Sequence, residues 1–127
     1  MPAFNGIGWF EIGTDNPEGA KRFYGEVFGW TAAQDNTTST DPAYQVISTG
    51  DAQGLRGAIF ATQGELANYA VFGVLVEDVA ATCRRTEAAG GKVQREPVVN
   101  STGVTFAHLL DPDGNQFAVF TPPSVRS

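Results

Sequence analysis

Two side chains in this 127-residue sequence have chemistry that works near neutral pH. Glu11 lies in "GWFEIG" (8–13) beside Trp9, and His108, the single histidine, lies in "GVTFAHLL" (103–110). An acid closed over by a sheet next to an indole is expected to have a raised pKa and to move protons. A histidine in a strand offers a general base, or more simply a structural hydrogen-bonding group. Arg56 could serve the same site or hold Glu11 in an ion pair. Cys83 is the only cysteine, which excludes an intrachain disulfide and a paired-cysteine zinc motif. Within a helix it is expected to act as a small buried apolar residue.

The elements that position these residues are written twice. Asn16 can cap a helix over "NPEGAKRFYGEVFGW" (16–30), with Pro17 in the first turn and Gly29 as its stop. Ala20, Phe23, Tyr24, Val27 and Phe28 recur at helical spacing as one wide apolar stripe. "YAVFGVLV" (69–76), Asp78 and "VAATCRRTEAAGG" (79–91) repeat the strand, cap and helix with an offset of 62 residues, so that Phe10 matches Phe72 and Asn16 matches Asp78. "AYQVIS" (43–48), "DAQG" (51–54) and "LRGAIF" (55–60) are echoed at an offset of about 60 by "GVTFAHLL", "DPDG" (111–114) and "NQFAVF" (115–120). Proline and glycine make "DPDG" a strong turn sequence.

Strand alternation then sorts the side chains. Phe10, Ile12, Ile59, Phe72, Val74, Phe117 and Val119 are expected towards the helices. Trp9, Glu11, Arg56, Ala58, Phe60, Val71, Leu75, Gln116, Ala118 and Phe120 fall on the other face, joined by Tyr44, Val46, Ser48, Phe106 and His108. The aromatic members could stack on a planar or cationic ligand, or serve as core or dimer interface. Trp30 is expected to pack.

Composition fits one ordinary globular domain: 42% hydrophobic and 17% charged, with a net charge of −6. That sign argues against nucleic acid or an anionic membrane as partner and suits a cationic small molecule. "MPAFNGIGWF" has no basic segment followed by an apolar run, so no signal peptide is expected and the cytoplasm is the default location.

With "FYGEVFGW" after the first strand and "DPDGNQF" before the last, the sequence resembles the vicinal oxygen chelate superfamily of glyoxalase I, extradiol dioxygenases and bleomycin-resistance proteins. "WFEIGTDNPEGAKRFYGEVFGW" is most similar to its actinobacterial antigen-type glyoxalase-like subgroup. The resemblance implies an α+β fold of two tandem βαβββ modules, about 4–62 and 69–122. Their curved mixed sheet would enclose a cleft, with a homodimer as the assembly. In the superfamily's enzymes a divalent metal is held by residues on the first and last strands of the modules. Those positions fall on Trp9, Val71, Ala58 and Ala118, none of which can ligate a metal. The expectation is therefore a metal-free, small-molecule-binding member that sequesters a drug or metabolite. Its expected ligand-binding residues are Trp9, Glu11, Tyr44, Arg56, Phe60, Phe106, His108 and Phe120. The alternative is a lyase, isomerase or dioxygenase with an atypical divalent-metal site, or with Glu11 and His108 as acid–base catalysts.

Overall fold

The computed structural model describes residues 3–35 and 41–123. The element order is β1 (Ile7–Thr14), α1 (Pro17–Phe28), β2 (Thr31–Ala33), β3 (Tyr44–Ser48), β4 (Gly57–Ala61), β5 (Tyr69–Leu75), α2 (Val79–Ala88), β6 (Lys92–Val99), β7 (Thr105–Leu110) and β8 (Gln116–Thr121). This is the α+β fold of two βαβββ modules. The chain divides into two compact units, one of Trp9–Ala70 and one of the residues before Trp9 together with those from Val71 onward. The boundary therefore falls inside β1, and the leading residues go with the second module. Asn5 N–H donates to the Leu75 carbonyl at 2.6 Å, and Leu75 N–H to that of Gly6 at 2.9 Å.

In the first module the strand order is β2-β3-β4-β1, with β1 parallel to β4 and the other pairs antiparallel. Asn16 caps α1 through Oδ1, which accepts from Gly19 N–H at 3.0 Å. Gly29 closes the helix in the left-handed region (φ 76°), where glycine carries no Cβ penalty. The apolar stripe of α1 is not the buried seam its spacing predicts: Phe23, Val27 and Phe28 are 56%, 55% and 59% exposed. Trp30 occupies the ground between helix and sheet instead. Its ring lies 5.3 Å from Tyr24, 5.4 Å from Phe28 and 5.5 Å from Phe10. Trp30 thus packs as expected, and only part of a stripe that wide finds cover.

The second module repeats the plan in the order β5-β8-β7-β6, with β5 parallel to β8. Asp78 caps α2 by accepting from Ala81 N–H at 2.9 Å. Between α2 and the sheet, Val76, Val79, Cys83, Ala107, Leu109 and Val119 form a buried cluster, with Val74, Val93 and Phe117 packed against it. Cys83 is the small apolar residue expected, and burial, then the nearby Glu96 and Glu87, raise its thiol pKa. Phe72 stacks on Phe117 at 6.0 Å but stays half exposed.

Both turns form as read. Asp51 Oδ1 accepts from Gln53 N–H at 2.9 Å, and Asp111 Oδ1 from Asp113 N–H at 3.0 Å. Asn115 adds both backbone and side-chain donors to Asp111, and these hydrogen bonds hold its carboxyl below the usual range. The inner strands of the modules pair in matching registers. Glu11 lies opposite Ala58 and Gly73 opposite Ala118, so the offsets of 62 and 60 seen in sequence recur in space.

Candidate functional site

On the first module, β1 alternation sends Phe10 towards Trp30 and α1 and turns Trp9, Glu11 and Gly13 to the opposite face. Glu11 pairs with Ala58, which pairs with Val46, while Gly13 pairs with Phe60, which pairs with Tyr44. The face therefore carries Trp9, Glu11, Tyr44 and Phe60 together, as the alternation predicts. Trp9 Nε1–H donates to the Tyr44 hydroxyl at 3.1 Å, and the Tyr44 and Phe60 rings lie 6.4 Å apart. Burial, and after it the Glu11 charge, raise the pKa of Tyr44 against the lowering effect of the Trp9 bond. Tyr44 is thus a neutral phenol that accepts from the indole and keeps its own O–H to donate.

Tyr69 completes this cluster, and sequence reasoning missed it. Its hydroxyl donates to Glu11 Oε2 in a close hydrogen bond. Asn68, which precedes it, accepts from Asp15 N–H at 3.1 Å and ties the segment to the end of β1. The Tyr69 ring lies directly over Gly13, where an added Cβ would come within 2.2 Å of it. A glycine inside a strand pattern marks such a close approach and was the available signal. Gly13→Ala should therefore push the ring aside and break its bond to Glu11. Tyrosine near-ultraviolet circular dichroism reads this, and a spectrum identical to wild type would count against the arrangement.

Arg56 does not join the group. It is exposed and its Nη2 pairs with Asp35 Oδ2 at 2.9 Å, so the ion pair considered for Glu11 is made with Asp35 instead.

On the second module, His108 pairs with Ala118, and Phe106 with Phe120. The Phe106 and His108 rings are 6.3 Å apart, and Gln116 Nε2 lies 3.3 Å from His108 Nδ1. His108 is 4% exposed. Burial, then the Arg95 guanidinium, lower its pKa from 6.5 to about 4. Near pH 7 it is a neutral imidazole, not a group poised to titrate.

The consequence for stability has a definite sign. Above pH 6.5 both folded and unfolded chains hold His108 neutral. As the pH falls from 6.5 to about 4, only the unfolded chain takes up the proton. Stability should then drop by roughly 1 kcal/mol per pH unit beyond the carboxylate contribution. Urea titrations of the wild type and His108→Gln between these pH values measure the difference. Parallel pH profiles would overturn it.

The metal positions of the resemblance do not fit a metal. Trp9, Val71, Ala58 and Ala118 offer an indole N–H and alkyl groups, where divalent ions need imidazole, thiolate or oxygen donors. Among the described residues no three His, Cys, Asp or Glu side chains come together to hold an ion.

A family model described as "Glyoxalase/Bleomycin resistance protein/Dioxygenase superfamily" matches residues 6–119. The chain belongs to this superfamily. "Putative glyoxylase CFP32" of Mycobacterium tuberculosis is 33% identical over 114 residues, covering 90% of this chain and 43% of that one. "Anthracycline biosynthesis protein DnrV" of Streptomyces peucetius is 34% identical over 118 residues, covering 89% and 40%. The chain thus spans about two-fifths of the length of these curated relatives. Among solved structures, methylmalonyl-CoA epimerase of Mycobacterium tuberculosis matches with a TM-score of 0.59 at 14% identity, covering 98% of this chain and 94% of that one. A Mn(II)-bound glyoxalase of Novosphingobium aromaticivorans matches with a TM-score of 0.60 at 22% identity, covering 98% and 42%. At these identities the structures show a shared glyoxalase-type fold and nothing finer. No helix of the described residues is long and apolar enough to cross a membrane.

Proposed function

We propose that this glyoxalase-superfamily chain binds a small organic molecule without a metal, through the first-module face that carries Glu11. The observation behind this reading is the gathering of Trp9, Tyr44, Phe60 and Tyr69 around one carboxylate. Aromatic faces beside an acid attract a planar ligand, and above all a cationic one. The net charge of −6 favours the same sign of ligand. The biological role is sequestration of a drug or metabolite by a homodimer. The cytoplasm is the proposed location.

Calorimetric titration with benzyltrimethylammonium, a cation carrying one aromatic ring, tests the reading. Trp9→Ala should weaken binding about tenfold, the loss of one cation–π partner, while the fold survives. Equal affinity in the variant would remove Trp9 from the site. Absence of binding by benzyltrimethylammonium and by a panel of planar organic cations would sink the cation reading.

A second reading rests on the close Tyr69–Glu11 bond and the spare Tyr44 proton: Glu11 moves a proton and the phenols steady the charge that develops. Turnover of a candidate substrate that is lost in Glu11→Gln with binding retained would favour the enzyme. The relatives' printed names, a glyoxylase and a biosynthesis protein, are compatible with it.

A further inference from the structure

The hydroxyl of Tyr44 enters one hydrogen bond among the described residues, and enters it as an acceptor. The registers of the first module explain how. On the face that carries Glu11, the row of Glu11, Ala58 and Val46 lies between Trp9 and the row of Gly13, Phe60 and Tyr44. Trp9 and Tyr44 therefore reach towards one another across the middle row, where an alanine leaves room. Ala58 and Val46 beneath them are 0% and 7% exposed. The indole bond holds the phenol oxygen over that row, beside the carboxylate whose charge acts on it.

The side chains around this hydroxyl leave its proton to be used. Ala58, Val46 and Phe60 have no acceptor atom, and Glu11 Oε2 is already engaged by the Tyr69 hydroxyl. Burial, and after it the Glu11 charge, keep the phenol protonated well beyond neutral pH. The N–H that it accepts polarises the O–H and makes it a better donor. With a lone pair given to the indole, the hydroxyl suits a bare oxygen better than an ammonium or an N–H group. A half-buried donor of this kind gains from an acceptor that a ligand brings.

We propose that Tyr44 sets the specificity of the Glu11 face by donating to a carbonyl oxygen that the ligand carries close to its cationic centre. The two ligand groups belong together because the carboxylate that attracts the cation lies near enough to the phenol for its charge to act there. The favoured class is then a planar organic cation with a carbonyl next to its ammonium group, ahead of a purely hydrocarbon cation. This inference rests on the reading that the Glu11 face binds an organic cation.

Two ligands separate the contact from the reading beneath it. Phenacyltrimethylammonium and (2-phenylethyl)trimethylammonium share ring, spacing and charge, and differ in a carbonyl against a methylene. Calorimetric titration of the wild type with each should favour the ketone by roughly three- to tenfold. In Tyr44→Phe, which keeps the ring and loses the hydroxyl, the ratio of the two affinities should fall to about one, whatever becomes of either affinity. In Trp9→Phe the ketone should still be preferred, because the phenol still donates. Equal wild-type affinities for the two cations would overturn the role of Tyr44 and leave the cation reading standing. A preference that persists in Tyr44→Phe would overturn it as well, and its loss in Trp9→Phe would then assign the contact to the indole. If neither cation binds and benzyltrimethylammonium does not bind, the inference and the reading beneath it both fall.

Discussion

Leu109→Ala should lower the unfolding free energy by about 3 kcal/mol, within the roughly 2–5 kcal/mol range of buried leucine truncations. Leu109 has no exposure, lies in β7 between Val93 and Phe117, and joins the cluster under α2. Its companions there are mostly small (Val76, Val79, Cys83, Ala107 and Val119), so few neighbours can reach in to refill the space. The change removes apolar burial and leaves a cavity, and both effects have the same sign. Urea denaturation measures it, with an unchanged m-value as the sign that only stability moved. Val99→Ala, at a side chain 66% exposed on β6, is the contrast and should stay within about 0.5 kcal/mol of wild type. A Leu109→Ala loss below about 1 kcal/mol would mean that the packed layer between α2 and the sheet is not the core described.

Glu11→Gln should weaken benzyltrimethylammonium binding by about thirtyfold, close to 2 kcal/mol. The substitution keeps the shape and still accepts from the Tyr69 hydroxyl, so the local fold is preserved. What it removes is the negative charge that the surrounding rings shield from water, where charge interactions count for more. Tyr69→Phe, which keeps the charge and loses the hydrogen bond, should cost less. If the two variants weaken binding equally, or if Glu11→Gln binds as wild type does, the carboxylate is not the anchor. Under the enzyme reading the same Glu11→Gln variant should lose roughly 100- to 10,000-fold in turnover with its affinity little changed. The pair of measurements thus separates a binding protein from a catalyst.

Much of the frame was legible because it rests on local chemistry. Asn16 and Asp78 announce two helix starts, "DPDG" its turn, and alternation along β1 and β4 sorts Phe10 and Ile59 from Glu11 and Phe60. The outermost strands were not located. β2 has three residues, and β6 is polar, contains Pro97 and is bulged, so neither gives a clean period of two. Pattern also told that α1 has an apolar stripe, but not that Trp30 would take the space beneath it and leave Phe23, Val27 and Phe28 open. Tyr69 and Arg95 escaped for a related reason. One acts across a strand boundary onto a glycine, the other through a register shift, and neither is a property of sequence spacing. Arg56 was read from its face alone, and Asp35 lies 21 residues away in the chain.

The matched inner registers show how little of the repeated plan depends on the side chains it carries. Glu11 opposite Ala58 and Gly73 opposite Ala118 are the same place in the βαβββ plan, occurring once in each half. One copy holds an acid and the other has no side chain at all. The same frame thus supports unlike surroundings: a carboxylate beside phenols in the first half, a guanidinium and an uncharged imidazole in the second.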